Sequence, residues 1–289
     1  MQHNFKIPNS NTKKDKLQGL NSLTSNRVIK FIVYSNIWIS IGSAFLCWQV
    51  FYLNELTVNY SYLYFVFFST LFSYNFQRVA RLQLLEKQLP DSWVVQNKKI
   101  AYSILFISFI GALATVPIFE APFSLFWIFV LAIVSGGYSY KGFRDIPYLK
   151  IILISASWGI ACGILPLIIS GNSLSIELLL NFILVFCYIL AITIPFDIRD
   201  LGVDEDKKRT LPQVMGIVKA KRLALFVLTI SILLFLFIFN PLQSIIYAIS
   251  CFLSGLLIYY SNKKKPDFYF TLLIDGHIIF QFLLIFFLS

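Results

Sequence analysis

A short stretch that follows a long apolar run carries the residues best suited to chemistry. In the sequence FDIRDLGVDEDKKRTLPQ, the aspartates Asp197, Asp200 and Asp204 are spaced i, i+3 and i+7. If the preceding helix continues past Pro195, the three carboxylates share one helix face. Carboxylates gathered in this way repel one another unless a cation lies among them, and Mg²⁺ prefers oxygen ligands and bridges them to phosphates. The spacing therefore predicts a Mg²⁺ site.

Basic residues follow these aspartates directly. Lys207, Lys208 and Arg209 supply positive charge that suits phosphate oxygens. The Thr-Leu-Pro that comes next is typical of a helix start with a threonine cap and an early proline. The alternative is a solvated loop of mixed charge that only joins two helices. The aspartate spacing, together with the sequence KRTLP, favours a functional site over that alternative.

The elements that position this stretch are membrane-spanning helices. Of 289 residues, 58% are hydrophobic and 13% are charged, about half the charged fraction of a soluble domain. The apolar runs are long and do not alternate with polar residues, which favours helices over a β-barrel. At about 20 apolar residues per crossing, we predict an all-α polytopic protein with about nine spans, at roughly 28–50, 57–77, 99–119, 121–140, 148–170, 176–196, 222–240, 242–261 and 268–288.

The distribution of basic residues predicts the orientation in the membrane. All 24 Lys and Arg residues lie in the N-terminal segment, including the start of the first span, or in the loops after the second, fourth, sixth and eighth spans. The alternate loops carry only Glu55, Glu120 and Glu177. This pattern predicts a cytoplasmic-membrane protein with a cytoplasmic N-terminus and a C-terminus on the far side. The net charge of +10 is then a topology signal and does not indicate nucleic-acid binding.

The domain organisation is simple. Residues 1–26 form a predicted mobile, basic cytoplasmic tail, which lacks the apolar core of a signal peptide. Residues 27–289 form one predicted transmembrane domain. All four cysteines lie inside apolar segments without a close pair, so we interpret them as core residues and predict neither a disulfide nor a zinc site.

Polar residues inside the predicted spans form a second group of candidates. Asp275 lies in the ninth span, where a carboxylate is costly and by default suggests function. It positions an acceptor molecule, pairs with His277 or a cation, or makes a structural hydrogen bond to another helix. His277 is more typical of a hydrogen-bonded core histidine. Asn36, in the first span, is a weaker candidate for which a functional and a structural role both stay open.

The acidic stretch resembles the second aspartate-rich motif of the UbiA superfamily of intramembrane prenyltransferases. Asp197, Asp200 and Asp204 match its three aspartates, and the residues from Lys208 to Pro212 match its basic-Thr-Leu-Pro end. The sequence GGYSYKGFRDIPYLKIILISASWG is similar to the segment of the fourth and fifth helices in that family, through Tyr138, Ser139, Lys141, Pro147 and Trp158.

The resemblance implies a UbiA-like bundle around a central cavity. It implies transfer of a prenyl group from an isoprenyl diphosphate to a lipophilic, often aromatic acceptor, in quinone or lipid biosynthesis. Asp197, Asp200 and Asp204 would bind Mg²⁺ as catalytic residues, and Lys208 and Arg209 would bind diphosphate. Lys141 either holds phosphate or anchors the helix at the membrane surface.

The first aspartate-rich motif of the family is altered in this chain. Of its Asn-Asp-x-x-Asp-x-x-x-Asp residues, Asn75 is kept, but Phe76, Val79 and Gln83 replace the three aspartates. One interpretation is that Arg78 and Arg81 contact diphosphate directly, beside a single Mg²⁺ at the second motif, because arginine binds phosphate with two parallel hydrogen bonds. The alternative is that both arginines only anchor the helix end at the cytoplasmic face. Asn75 then belongs to the substrate site or caps the helix end.

Two other interpretations stay open. The chain is a non-catalytic relative that binds a prenyl lipid or a partner protein, which the loss of the first motif favours. Or it is a small-molecule transporter in which Asp275 is the coupling site, although its charges cluster at one membrane face.

Overall fold

The computed structural model describes residues 26–116, 122–139, 148–172, 175–201 and 210–289. Every regular element within these ranges is helical, so the predicted all-α class is confirmed. The helices are α1 (Arg27–Tyr34), α2 (Ile37–Leu53), α3 (Tyr60–Val79), α4 (Leu82–Gln88), α5 (Trp93–Gln96), α6 (Lys98–Thr115), α7 (Pro122–Ser139), α8 (Leu149–Trp158), α9 (Leu165–Ile169), α10 (Ile176–Arg199), α11 (Leu211–Ile238), α12 (Pro241–Tyr260) and α13 (Asp275–Leu288). Two π-helical turns, Gly159–Ile164 and Tyr269–Ile274, precede α9 and α13.

Most of these helices are long and apolar enough to cross a membrane. Among the described residues, six continuous helices meet that requirement, and the bent pair α1 and α2 makes a seventh if it is one span. The other two predicted spans coincide with α3, of 20 residues, and α7, of 18 residues. At 1.5 Å per residue they are about 30 and 27 Å long. The prediction of an integral membrane protein is confirmed, whereas the count of nine crossings stays a prediction.

The first span is broken, which corrects the predicted continuous helix over 28–50. Helices α1 and α2 meet at an angle of 61°, and Asn36 between them has a φ of 67°, a left-handed conformation that asparagine tolerates better than most residues. Asn75 of α3 stabilises the break. Its Nδ2 donates to the Ser35 carbonyl at 2.9 Å, and its Oδ1 accepts a hydrogen bond from Asn36 Nδ2 at 3.2 Å.

We expect Asn75→Leu to lower the stability of the bundle. The substitution leaves the Ser35 carbonyl and the Asn36 amide without these partners in a buried site, and each unpaired group costs about 1–3 kcal/mol. Thermal unfolding of purified protein in detergent measures the effect. Asn262→Ala, which changes an exposed asparagine, is the matched control, and an unchanged unfolding midpoint for Asn75→Leu would contradict this role.

The fifth span packs closely against α10 because glycines face it. A Cβ atom added to Gly163 would lie 2.8 Å from the Asn181 carbonyl oxygen, and one added to Gly159 would lie 2.8 Å from the Phe182 ring. Small residues commonly allow this close approach between membrane helices. The contact fixes α8, which carries Lys150, beside α10, which carries the first two aspartates of the acidic stretch.

The helix start predicted from Thr-Leu-Pro is confirmed. Helix α11 begins after Thr210, whose backbone N–H donates to Gln213 Oε1 at 2.8 Å, and Pro212 lies in its first turn. This start is earlier than the predicted span at 222, because a short helical segment precedes a break at Gly216. That residue has a φ of 80°, which glycine adopts without steric cost.

Candidate functional site

A cavity of about 820 Å³ lies at the end of the bundle where α1, α3, α8, α10 and the ninth span meet. The segment from Arg81 to Asn97 forms part of its wall. Its lining is unusually rich in charge for an apolar protein. The cations are Lys30, Arg78, Arg81, Lys150 and Arg199, and the acids are Asp91, Asp200, Asp267 and Asp275.

Asp197 lies behind the cavity wall in an ion pair. Helix α10 continues past Pro195 to Arg199, as the aspartate spacing requires, so Asp197 and Asp200 lie one turn apart. The Asp197 side chain is only 3% exposed, and its Oδ1 accepts a hydrogen bond from Lys150 Nζ at 2.8 Å. Because an isolated buried carboxylate is strongly disfavoured, Lys150 compensates its charge.

Asp200 belongs to a three-residue ion network that joins α10 to the start of the ninth span. Arg199 Nε donates to Asp200 Oδ1 at 2.8 Å, and Arg199 Nη1 donates to Asp267 Oδ1 at 2.8 Å. The guanidinium carbon also lies 5.1 Å from the centre of the Phe196 ring and 5.7 Å from that of Phe270, within the range of cation–π attraction. Arg199 is therefore held in one orientation at the cavity wall.

The degenerate first motif contributes cations to the same cavity. Arg78 Nη1 donates to the Tyr34 carbonyl at 2.5 Å, at the end of α1, and Arg81 lies one turn farther along. Both line the cavity, and their role in binding a substrate stays a prediction. Asn75 is buried behind them and does not line the cavity, and its amide bonds hold the break between α1 and α2. Its role toward a substrate stays a prediction.

Asp275 also faces the cavity, at the junction between the π-helical turn and α13. It does not pair with His277. The His277 ring is buried and its Nδ1 lies 2.9 Å from Ser254 Oγ and 3.1 Å from Tyr188 OH. His277 is therefore a hydrogen-bonded core residue, as the sequence predicts. Asp275 lines the cavity and does not contact the His277 ring through a hydrogen bond.

Four predicted site residues lie outside the described residues: Asp204, Lys141, Lys208 and Arg209. Within the described part of the chain, no three His, Cys, Asp or Glu side chains gather in a metal-binding arrangement. Asp197 and Asp200 are oxygen ligands of the kind that Mg²⁺ takes, and Mg²⁺ is commonly held by one or two carboxylates together with substrate phosphates and water. Both carboxylates are ion-paired in the structure, to Lys150 and to Arg199, so a Mg²⁺ site at these two residues stays a prediction.

Sequence reasoning missed Lys150 and Asp267 as site residues and treated Arg199 only as one base of a charged stretch. Lys150 was counted only among the basic residues that set the orientation. Asp267 follows the sequence KKKP directly before the ninth span, and an acid among bases at a span end was the available signal. Lys150 and Asp267 come from segments distant in sequence, and the fold brings them to Asp197 and Arg199 of α10.

A second, mostly apolar cavity of about 370 Å³ adjoins the first. Phe65, Val66, Phe72, Ile128 and Leu131 are among its lining residues. Tyr74, Gln77, Ile154 and Trp158 line both cavities. A charged chamber therefore adjoins an apolar one, which suits a ligand with a charged head and a hydrocarbon tail.

Comparison with known proteins agrees with this architecture. A UbiA homologue from Archaeoglobus fulgidus bound to GPP and Mg²⁺ superposes with a TM-score of 0.64 at 13% identity, over 89% of this chain and 98% of that chain. The apo structure of a UbiA homologue from Aeropyrum pernix K1 gives 0.62 at 12% identity, over 88% and 97%. A digeranylgeranylglyceryl phosphate synthase gives 0.57 at 16% identity, over 88% and 96%.

At these identities the solved structures show a shared fold. No curated protein sequence gives a significant match to the chain. The model of the UbiA prenyltransferase family matches residues 94–270, which is more than half of the chain. The acidic stretch, Lys150 and Asp267 lie within that match. The chain therefore belongs to the UbiA prenyltransferase family.

Proposed function

We propose that this protein is a prenyltransferase that takes an isoprenyl diphosphate as donor and a lipophilic molecule as acceptor, in quinone or lipid biosynthesis. The observation that carries the proposal is a cation-rich cavity beside Asp197 and Asp200 that adjoins an apolar cavity. The diphosphate lies in the first and the prenyl chain in the second. Family membership and the relatives bound to GPP or DMAPP with Mg²⁺ support it.

The cations that line the cavity bind the leaving diphosphate. Arg78, Arg81 and Arg199 donate to diphosphate oxygens, and Lys150 adds charge from the side of α8. Preorganised cations stabilise the charge that develops on the leaving diphosphate. Asp197 and Asp200 would hold Mg²⁺, which when bound neutralises further charge on the diphosphate.

The loss of the first motif limits this site to one metal position. Phe76, Val79 and Gln83 supply no carboxylate, so the side of α3 does not fit a metal ion, and Arg78 and Arg81 provide the positive charge there instead. We place the acidic stretch and this cavity on the cytoplasmic side of the cytoplasmic membrane, in accord with the positive-inside pattern.

Donor binding tests the proposal. Purified protein is titrated with geranyl, farnesyl and geranylgeranyl diphosphate, with Mg²⁺ and with EDTA, and diphosphate release is then followed with a lipid extract as acceptor source. We expect Mg²⁺-dependent binding that Asp200→Asn and Arg78→Ala each weaken at least about tenfold, since one charged hydrogen bond contributes about 1.5–3 kcal/mol. Arg222→Ala, which removes an exposed arginine outside the cavity, is the matched control.

Two results separate the alternatives. Absence of binding to every donor contradicts the prenyltransferase proposal. Donor binding without diphosphate release from any acceptor extract instead favours the non-catalytic lipid-binding relative, which the replacement of the first-motif aspartates supports.

A further inference from the structure

Six basic residues form a surface patch outside the cavity, where α11 lies beside the end of α12. The Lys221 ammonium on α11 donates a hydrogen bond to the Tyr259 carbonyl, near the end of α12, at 2.7 Å. A Cβ atom added to Gly255 of α12 would lie 3.3 Å from a Leu225 methyl group, so the two helices pack closely at this level. We call the following residues the basic patch: Lys219, Lys221, Arg222, Lys263, Lys264 and Lys265.

The charge of the basic patch is not balanced by acids in the same part of the sequence. Residues 210–266 contain no Asp or Glu, and the next acid, Asp267, accepts a hydrogen bond from Arg199 Nη1 in the cavity network. Among the described residues, none of the six cations of the patch forms an ion pair, whereas Lys98 pairs with Glu86. A concentration of one charge at the surface attracts a partner of the opposite charge.

The local structure exposes the charges of the patch. The Asn262 side chain accepts a hydrogen bond from the Lys264 backbone N–H at 3.0 Å, which closes a turn directly after α12. The side chains of Lys263 and Lys264 in this turn are exposed. On α11, Lys219 and Arg222 are also exposed and lie three positions apart, so they are neighbours on the helix surface. Four cations are therefore accessible around the junction of α11 and α12.

A band of exposed apolar side chains adjoins the basic patch. On α12, Phe252, Leu256 and Tyr259 are exposed at positions i, i+4 and i+7, which share one helix face. On α11, Phe226 is exposed one turn after Arg222. The order along these helices is apolar residues, a tyrosine and then cations. A phospholipid has the same layers, because its acyl chains lead through the interface, where tyrosine is enriched, to a phosphate.

We propose that the basic patch binds the headgroup of an anionic phospholipid, whose acyl chains lie along the exposed apolar band of α11 and α12. Clusters of about four to eight Lys or Arg residues at the cytoplasmic ends of membrane helices are typical of this recognition. A free phosphate or a nucleic acid would use the cations but would leave the adjoining apolar band without a role. The patch lies on the side that the positive-inside pattern predicts to be cytoplasmic.

A matched pair of lipids tests the inference. The purified full-length protein in detergent is titrated with dioleoylphosphatidylglycerol or dioleoylphosphatidylcholine, which share their acyl chains and differ in net headgroup charge. Native mass spectrometry counts the bound lipids and gives the affinity for each. We expect the wild-type protein to bind phosphatidylglycerol at least about tenfold more tightly, a preference of about 1.4 kcal/mol, because each cation near the headgroup adds attraction.

A triple variant of the patch assigns that preference to these residues. We expect Lys219→Gln/Arg222→Gln/Lys264→Gln to bind phosphatidylglycerol at least about tenfold more weakly than wild type and phosphatidylcholine equally well. The three side chains are exposed, so its unfolding midpoint in phosphatidylcholine should equal that of wild type. Lys219→Arg/Arg222→Lys/Lys264→Arg keeps every charge and should keep the affinity. Inorganic phosphate, which has no acyl chains, should not displace phosphatidylglycerol from the wild-type protein.

A second triple variant controls for net charge. Arg27→Gln/Lys87→Gln/Lys99→Gln removes three exposed cations outside the patch and should keep the wild-type preference. Four results overturn the inference: equal binding of the two lipids by wild type, wild-type affinity for phosphatidylglycerol in the patch variant, an equal loss in the control variant, or displacement of phosphatidylglycerol by inorganic phosphate. Each result is the same whether or not the protein binds a prenyl diphosphate, so the inference is independent of the proposed function.

Discussion

Replacing Arg199 by methionine is expected to weaken the binding of geranylgeranyl diphosphate by at least about 100-fold. Arg199 bridges Asp200 and Asp267 with two hydrogen bonds of 2.8 Å. Without it, Asp200 and Asp267 lose the cation that pairs with both of them, and this wall of the cavity becomes more negative. A loss of about 2.7 kcal/mol, within the range of one hydrogen bond to a charged group, gives that factor.

Equilibrium titration with the donor in the presence of Mg²⁺ measures this effect. Lys264→Met removes an exposed lysine outside the cavity and controls for the change in net charge. Arg199→Lys keeps the charge but loses the planar fork that reaches two carboxylates at once, so it should lie between wild type and Arg199→Met. Equal affinities for Arg199→Met and wild type would show that the ion network is structural and takes no part in donor binding.

The membrane spans could be predicted from the sequence because each depends only on the apolar character of its own residues. A run of about 20 apolar residues forms a helix in lipid whatever its neighbours are, so α10, α12 and the ninth span appear where the sequence predicts them. The break at Asn36 could not be predicted from the sequence. Its left-handed backbone is stable because the Asn75 amide, 39 positions away, satisfies the polar groups that the bend exposes.

The same distinction holds for the site. Asp197 and Asp200 could be found because their spacing on one helix is itself the signal. Lys150, which pairs with Asp197, comes from α8, 47 positions earlier. Asp267, which pairs with Arg199, comes from the start of the ninth span, 68 positions later. Nothing in the local sequence around Lys150 distinguishes a cavity residue from a positive-inside anchor, and the one signal at Asp267, an acid directly after KKKP, does not show that it reaches the cavity. Only the packing of α8 and the ninth span against α10 does so.

The charges that line the cavity bear on the replacement of the first motif. The cavity already holds the acids Asp91, Asp200, Asp267 and Asp275, and the side chains at 76, 79 and 83 are not among its lining residues. Arg78 and Arg81 instead place permanent positive charge there. We therefore expect donor binding here to depend on arginine at α3 and on metal only at α10.

The Lys150–Asp197 pair should show a large and asymmetric effect on stability. The Asp197 side chain is 3% exposed and that of Lys150 is 24% exposed. Lys150→Met leaves a buried carboxylate without this partner, which costs about 3–5 kcal/mol. Asp197→Asn leaves a lysine that still reaches water and costs about 1 kcal/mol, the net contribution of an ordinary hydrogen bond. Thermal unfolding in the same detergent ranks the two variants.

The double variant Lys150→Met/Asp197→Asn separates stability from binding. It removes the buried charge together with its partner, so its unfolding midpoint should recover to near that of Asp197→Asn. Its affinity for geranylgeranyl diphosphate should not recover, because the cavity has lost both a cation and an oxygen ligand for Mg²⁺. A double variant as unstable as Lys150→Met would show that the loss of Lys150 from the buried Asp197 carboxylate is not the cause of the instability. A double variant that binds the donor like wild type would show that the pair only holds α8 against α10.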